Sequence, residues 1–496
     1  MSYKVDLSVS RGDKLSLTEQ LVTRLAAAID KGELAPGEKL PTTREVADAA
    51  GINHLTAARV YRRLAERGYV TASVGRGTFV RSLPPSPRTV DDDWQQVVLP
   101  KRLPSYRERI VKDLLTVGAR ADRIPLGAGV PAREALPATE LAALTADVFA
   151  ELGAQALAET EVEGLPALRE ELARYGRTLG FASAEDEILV TAGAHQALDL
   201  VVRTVLEPGQ VAVVESPTFV GTLVSLEASG AQVIGIPLDE NGIDVDALER
   251  VLARHEVKLV VLQPACQNPT GQHLSPERRR RLLELALERS FFVVEDAVYA
   301  PVRFEGDPFR SLRAEAPGHV IHVNSLSKTV AGGLRVGWVA AQGPVFGRLA
   351  ALKMTTDLHT SSLAQHVAAR HLSSGGYERL LTRTIPMYRE RRDALLAALE
   401  RHLPGEYATL RPLGGYNLWL TLRRKIDIRA LYSEAVARGV SFTPGAVLME
   451  ESSRPSMRLS YSLAAPEAID EGVRRLAAAL RSLLRTDASR SSVPYS

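Results

Sequence analysis

Val320-Ile321-His322-Val323-Asn324-Ser325-Leu326-Ser327-Lys328 is the stretch from which the fold of this 496-residue chain is read. Its first five residues are a short, mostly apolar run of strand length, followed by small polar residues and then a lysine. A strand apolar on both faces belongs in a sheet covered on both sides, and the loop beyond its end is where such sheets place ligands. Six more runs have the same character: Glu187–Thr191, Val211–Ser216, Gln232–Pro237, Val257–Gln263, Phe291–Glu295 and Arg335–Ala341. Helical segments separate them. The pattern predicts an α/β domain from about residue 121 with a seven-stranded, mainly parallel sheet. Residues 345–484 read as a small α+β C-terminal lobe, which leaves 121–344 as the large lobe and polar Arg485–Ser496 as a flexible tail.

Upstream the pattern is different. Leu17, Leu21, Leu25 and Ile29 recur at helical spacing over 15–31 and stop at Gly32, with Pro36-Gly37 as a turn. Thr42-Thr43-Arg44-Glu45 is a capping box opening a helix through Ala50, and Gly51 ends it. Asn53 caps a third helix to about Arg67, closed by Gly68. Tyr69–Ser73 and Thr78–Arg81 flank Gly75-Arg76-Gly77 as a hairpin wing, so residues 1–81 form a mostly α winged helix-turn-helix. Residues 82–98 carry several prolines and Asp91-Asp92-Asp93 without an apolar period, so 82–120 serves as a linker and connecting helix.

Length alone implies two or three domains. The balance of 61 Lys+Arg against 59 Asp+Glu gives no global field calling for nucleic acid or membrane, so any basic surface is local. One such excess lies in residues 1–81, with 13 Lys/Arg against 9 Asp/Glu. The single Cys266 excludes an internal disulfide framework and reads as a buried small apolar residue, and no His/Cys spacing offers a metal site. The N-terminus lacks a signal-like apolar region and no stretch approaches the roughly 18 apolar residues of a spanning helix, so a cytoplasmic protein is expected.

Two chemistries follow. A recognition helix carries hydrogen-bonding and cationic side chains on its leading turn, and His54, Thr56 and Arg59 are placed for that. In the α/β domain, Lys328 suits an aldehyde such as pyridoxal 5′-phosphate, which also requires an anion at its pyridine nitrogen, donors to its phenolic oxygen, a stacking ring and a phosphate cup. Asp296 at a strand end supplies the anion, Tyr299 and Asn268 the donors, and Phe219 the ring. Thr191-Ala192-Gly193-Ala194-His195 passes from strand to helix and offers free backbone N–H groups to phosphate, with Ser325 and Arg335 adding a hydroxyl and a cation.

From Gly32-Glu33-Leu34 through Leu40-Pro41-Thr42-Thr43-Arg44-Glu45, Thr56, Arg59-Val60-Tyr61, Gly68-Tyr69-Val70 and Gly75-Arg76-Gly77-Thr78-Phe79-Val80, the N-terminal part resembles GntR-family winged-helix regulators. The resemblance implies DNA contacts from Arg44 and Arg76, with Thr42, Thr43 and Gly77 beside them. His54 stands where that family usually has arginine. From Ile124-Pro125-Leu126-Gly127 to Tyr461 the chain resembles fold-type I aminotransferases, with Gly129, Pro131, Gly164, Leu168-Arg169, Asn268-Pro269-Thr270-Gly271, Gly414-Gly415 and Pro444-Gly445 as further landmarks. This implies the α/β pyridoxal-phosphate-dependent transferase fold, the site residues Gly193, Ala194, His195, Phe219, Asn268, Asp296, Tyr299, Ser325, Lys328 and Arg335, and Arg458 as the ligand-carboxylate residue. Two positions depart from the pattern: Phe219 and Glu159 each replace a common tyrosine.

Joined, the halves resemble the MocR/GabR subgroup of GntR-family transcriptional regulators. That implies a pyridoxal-phosphate-dependent, DNA-binding regulator that senses an amino compound or the cofactor itself, working as a homodimer, head-to-tail, on a double-stranded operator. A working aminotransferase with a GntR-type head is the alternative, and a lyase or racemase on the same body a weaker one. Sequence leaves the ligand, the operator and the sense of regulation open.

Overall fold

The computed structural model describes residues 5, 7–10, 15–30, 33–35, 37–67, 69–73, 77–80, 123–182, 184–449 and 454–491, with the backbone alone at 30, 73 and 486–491. The chain divides into two compact units, Met1–Leu103 and Pro104–Ser496. The expected linker and connecting helix at 82–120, and with them Gly32, Pro36, Gly68, Gly75 and Arg76, lie outside the described residues.

In the first unit, α1 (Leu17–Asp30), α2 (Thr43–Ala50) and α3 (His54–Glu66) precede an antiparallel hairpin of β1 (Val70–Ser73) and β2 (Gly77–Val80), in register Val70↔Val80. Local chemistry fixes the ends. Glu45 Oε2 accepts from Thr42 N at 2.6 Å while Thr42 Oγ1 accepts from Glu45 N at 3.3 Å, and Gly51 leaves α2 with φ 62°. Asn53 Oδ1 accepts from Leu55 N at 2.8 Å to start α3. Leu21, Val22 and Leu25 of α1 pack with Val46, Ala57, Val60 and Leu64 into one core.

The second unit is built on a sheet in the order β4-β11-β10-β9-β8-β5-β6-β7. Its strands are β4 (Ile188–Thr191), β5 (Val211–Ser216), β6 (Gln232–Asp239), β7 (Gly242–Ile243), β8 (Val257–Leu262), β9 (Phe292–Asp296), β10 (Val320–Ser325) and β11 (Gly337–Ala340). Strands β10, β9, β8, β5 and β6 pair in parallel, and β11 runs antiparallel to both neighbours. Alternate residues feed separate cores: Ala212, Val214, Leu259, Val261 and Val323 on one face, and Val211, Val213, Val260, Leu262 and Val293 on the other. All seven expected strands form. The sheet has an eighth, β7, because Gly242 at φ 90° turns the chain back onto β6 with Leu238 opposite Ile243.

The lobe boundary expected at 345 is corrected. Helices Pro344–Asp357 and Ser362–Ser373 pack on the large lobe, through Leu349 against Leu198 and Val201 and through Ala368 and Leu372 against Leu168 and Trp338. The 27-residue helix Gly376–His402 then crosses between lobes, with Tyr377 and Leu380 in the large-lobe core and Leu395 and Leu399 in the small-lobe core. Pro386 lies inside this helix between the parts that enter the two cores, and the helix continues through it, so neither end of the helix marks the border. Conversely β3 (Ile124–Pro125) pairs with β14 (Val440–Ser441), and Leu126 is buried in the small lobe. The small lobe's own sheet is β12 (Tyr407–Thr409), β13 (Asn417–Leu422), β16 (Ser456–Ser460) and β15 (Thr443–Pro444). The last helix runs Pro466–Ser491, past the tail boundary at Arg485, since neither glycine nor proline follows Arg485 before Pro494.

Candidate functional site

The C-terminal ends of β8, β9 and β10 open on a cleft. Ala194, His195, Phe219, Asn268, Asp296, Tyr299, Ser325, Lys328 and Arg335 line it, together with Leu198, Gln263, Val298 and Ser327. Nine of the ten cofactor residues expected from sequence thus come from separate loops to one place, and Gly193 adjoins them in the chain.

Lys328 follows β10 in the turn Leu326–Val330, and its Nζ donates to Gly129 O at 2.7 Å, 5.7 Å from the centre of the Tyr299 ring. The Tyr299 hydroxyl donates to the same Gly129 O at 3.3 Å. Asp296 ends β9 with its side chain buried; Oδ2 accepts from Gln263 Nε2 at 2.6 Å and Oδ1 from Val298 N at 3.2 Å. Burial pushes this carboxyl above its usual range, against those donors and the nearby charges of His322 and Lys328. Asn268 Oδ1 accepts from Arg458 Nη1 at 3.2 Å and from Asn417 Nδ2 at 3.3 Å, which leaves the amide Nδ2 as the donor Asn268 has to offer.

Between β4 and helix Ala194–Val205, Gly193 takes φ 96°, and a Cβ there would lie 2.7 Å from Arg335 Nη2. Arg335, itself left-handed at φ 53°, donates from Nη2 to Ala192 O at 2.7 Å. Loop, guanidinium and helix start therefore converge on a cationic cradle lined by N–H groups without intrahelical partners. A strut braces the loop from behind: Ala192 N donates to Gln196 Oε1 at 2.6 Å, Gln196 Nε2 to Asp357 Oδ2 at 2.7 Å, and buried Lys353 Nζ to Asp357 Oδ1 at 2.7 Å. Gly221 leaves room for the Phe219 ring, with which any Cβ at 221 would collide.

Arg458 on β16 is buried, its Nη2 donating to Gly127 O at 2.7 Å and to Thr443 Oγ1 at 3.1 Å, and burial lowers its pKa. Its Nε is buried with no partner among the described residues, as is the Oγ of cleft-lining Ser327. These residues fit pyridoxal 5′-phosphate: an amine, an anion, donors at a second edge, an aromatic face and a cationic cradle surround one cleft, and a spare guanidinium N–H lies at its small-lobe side. Sequence reasoning missed Gln263, Asn417 and the Gln196–Asp357–Lys353 strut, because each is defined by a partner distant in the chain, and it passed over Ser327 although that residue directly precedes Lys328. Glu159 is exposed. Cys266 is buried with its thiol pushed up to about 12 by burial, in keeping with an inert packing role. Among the described residues no cluster of metal-ligating groups is present, and no helix is long and apolar enough to cross a membrane.

In the first unit Arg44 and Arg59 are exposed, Thr43 and Thr56 are half-buried, and Thr42 serves as the α2 cap. His54 Nε2 is 2.9 Å from Thr43 Oγ1, so the first turns of α2 and α3 are joined by the residue that departs from the usual arginine. Gly77, at φ 117°, lies under the Lys39 side chain, whose Cε would be 2.7 Å from a Cβ there. Lys39, which sequence reasoning missed, thus brings a cation to the turn end of the wing.

Residues 17–80 match the model of the bacterial regulatory proteins, gntR family, and residues 121–476 match aminotransferase class I and II. The chain is 35% identical over 379 residues to aromatic-amino-acid aminotransferase 1 of Thermococcus litoralis, covering 75% of this chain and 91% of that protein. It is 30% identical over 487 residues to the HTH-type transcriptional regulator TauR of Rhodobacter capsulatus, covering 95% and 98%. The crystal structure of LysN, the α-aminoadipate aminotransferase of Thermus thermophilus, complexed with N-(5′-phosphopyridoxyl)-L-leucine, superposes with a TM-score of 0.71 at 34% identity, covering 76% of this chain and 95% of that one.

Proposed function

We propose, from the premise that this chain belongs to the aminotransferase class I and II family and carries a gntR-family head, that it is a transcriptional regulator whose head binds duplex DNA and whose body senses an amino compound or pyridoxal phosphate. The cofactor of the body is pyridoxal 5′-phosphate. The observation that carries the reading is Lys328 in one cleft with Asp296, Asn268, Ser325 and Arg335, in a chain that also contains a complete helix-turn-helix. The domain limits we assign are 1–81 for the head, 82–120 for the linker and 121–491 for the body, whose last helix ends at Ser491.

Bound in the cleft, the cofactor supplies an electrophilic aldehyde carbon and an electron-accepting ring. Lys328 provides the amine that holds it and, when released, a base at Nζ. Asp296 would hold a proton at the pyridine nitrogen, Asn268 and Tyr299 would donate to the phenolic oxygen, Phe219 would pack on the ring, and Gly193, Ala194, His195, Ser325 and Arg335 would hold the phosphate. Arg458 binds the ligand's carboxylate. Gly127 O and Gly129 O, two residues apart, are bonded to Arg458 and Lys328. A ligand engaging both groups therefore acts on one short segment, and that segment continues backward through β3 into the linker to the head. Ligand binding shifts the head only if the two states bind the ligand unequally.

On the DNA side, Arg44, Arg59 and Arg76 make phosphate or base contacts, with Thr42, Thr43, His54, Thr56 and Gly77 shaping the leading turns and the wing. A homodimer, head-to-tail, would present two heads to paired half-sites of an operator.

The test is selection of duplexes from a random pool by the full-length, cofactor-loaded protein, followed by titration of amino acids and amines into the complex. A ligand-dependent change in DNA affinity is expected, and DNA binding that ignores both cofactor and amines would refute the reading. The second reading, a working aminotransferase, is favoured by the intact Lys328–Asp296–Arg458 set. Turnover of an amino acid with a 2-oxo acid, measured on the same preparation, decides it.

A further inference from the structure

Gln263 immediately follows β8, buried between two other strand ends, and its groups are engaged on three sides. Nε2 donates to Asp296 Oδ2 at 2.6 Å, and Oε1 accepts from Asn268 N at 2.6 Å. Its backbone N–H donates to Glu215 Oε2 at 3.0 Å, and that oxygen also accepts from Gln267 Nε2 at 3.1 Å. Glu215 lies on β5, Gln263 after β8 and Asp296 on β9, so the network runs across three neighbouring strands of the sheet.

A primary amide suits this place because it offers a donor to a carboxylate and an acceptor to an N–H at once. An aliphatic residue would leave a buried carboxylate oxygen and a buried N–H without partners. The two groups joined by Gln263 are those with separate tasks in the cleft, since Asp296 faces the pyridine nitrogen and Asn268 the phenolic oxygen.

We propose that Gln263 is a positioning residue that ties Asp296 to Asn268, so that the groups gripping two edges of the cofactor ring are held as one unit. This rests on the cofactor reading above. The charged and titratable groups around Asp296 are Glu215 from β5, His322 from β10 and Lys328 from the turn after it. Burial drives the Asp296 carboxyl upward and donation from Gln263 opposes it. Without that donor Asp296 keeps its own proton to higher pH and ceases to hold one on the pyridine nitrogen.

The experiment compares full-length, cofactor-loaded wild type with Gln263→Leu and Gln263→Glu, reading the pH midpoint of the visible absorbance, the rate of cofactor loss on dilution, and the melting temperature of the cofactor-free proteins. For Gln263→Leu the midpoint rises by about one pH unit, as expected for one lost hydrogen bond to a carboxylate, and cofactor loss is about tenfold faster. Gln263→Glu keeps the acceptor for Asn268 and regains the donor only when protonated, so it approaches wild type as pH falls. A Gln263→Leu titration that overlays wild type overturns the proposal. Should that variant not fold, a Gln263→Met titration that overlays wild type overturns it equally, since methionine fills the same space and cannot donate to Asp296. A wild type that takes up no cofactor instead overturns the reading on which it rests.

Discussion

Arg458 Nη1 donates to Asn268 Oδ1 at 3.2 Å, joining β16 of the small lobe to the loop after β8 of the large one. The same guanidinium reaches Gly127 O and Thr443 Oγ1, so three segments meet on its fork. Lysine carries the charge but cannot make this planar set of bonds. Arg458→Lys should weaken the response to amines bearing a carboxylate by at least about tenfold, the loss expected of one charge-assisted contact, while sparing simple amines. Titrating matched amines with and without a carboxylate checks this, and equal losses for both would assign Arg458 a structural role.

Gly193 and Arg335 form the other fixed pair. Because Gly193 has φ 96° and a Cβ would sit 2.7 Å from Arg335 Nη2, Gly193→Ala displaces either the loop or the guanidinium. Pyridoxal-phosphate affinity should fall at least about tenfold, as for loss of one charge-assisted contact, while phosphate-free pyridoxal is affected little. Equilibrium titration of both compounds, followed by absorbance, measures the difference.

Burial pushes the Glu215 carboxyl up to about 8 from an ordinary 4.5, and Asp296 nearby adds to the rise. The folded state then holds a proton that the unfolded chain releases above about pH 4.5. Stability contributed by this group is complete below that pH and is lost as pH rises towards about 8. Glu215→Gln keeps an oxygen for Gln263 N and Gln267 Nε2 and cannot ionise. Its melting temperature relative to wild type should therefore be higher at pH 8 than at pH 5, measured on cofactor-free protein. A pH-independent difference would contradict the assignment.

In the head, Thr42 and Glu45 cap each other. Thr42→Ala removes the side-chain acceptor for Glu45 N and should cost about 1 kcal/mol, read as a lower melting temperature of the head. DNA binding should weaken with it, because α2 carries Thr43, the partner of His54.

Much of this was legible in the chain. The seven strands could be read because each is a short apolar run buried on both faces, and α2 and α3 because Thr42, Glu45, Gly51 and Asn53 act on adjacent backbone. Lys328, Asp296 and Asn268 were found because each sits at a strand end, where the topology already implies a ligand. The lobe border was not legible, since helix Gly376–His402 serves two cores and runs on through Pro386, where a proline would ordinarily end it. Nor was β7, where two residues pair only because Gly242 reverses the chain. Gln263 and Lys353 are ordinary side chains whose roles arise from partners on other elements, Asp296 for one and Asp357 for the other.

The central claim is that Lys328 links cofactor and ligand to the state of the DNA-binding head. The most direct measurement is the DNA affinity of full-length Lys328→Ala, with and without the amine to which wild type responds, alongside its visible absorbance. The expected protein is folded, binds DNA, lacks the visible band and no longer responds to the amine. A Lys328→Ala protein whose DNA affinity still shifts with the amine as in wild type would contradict it.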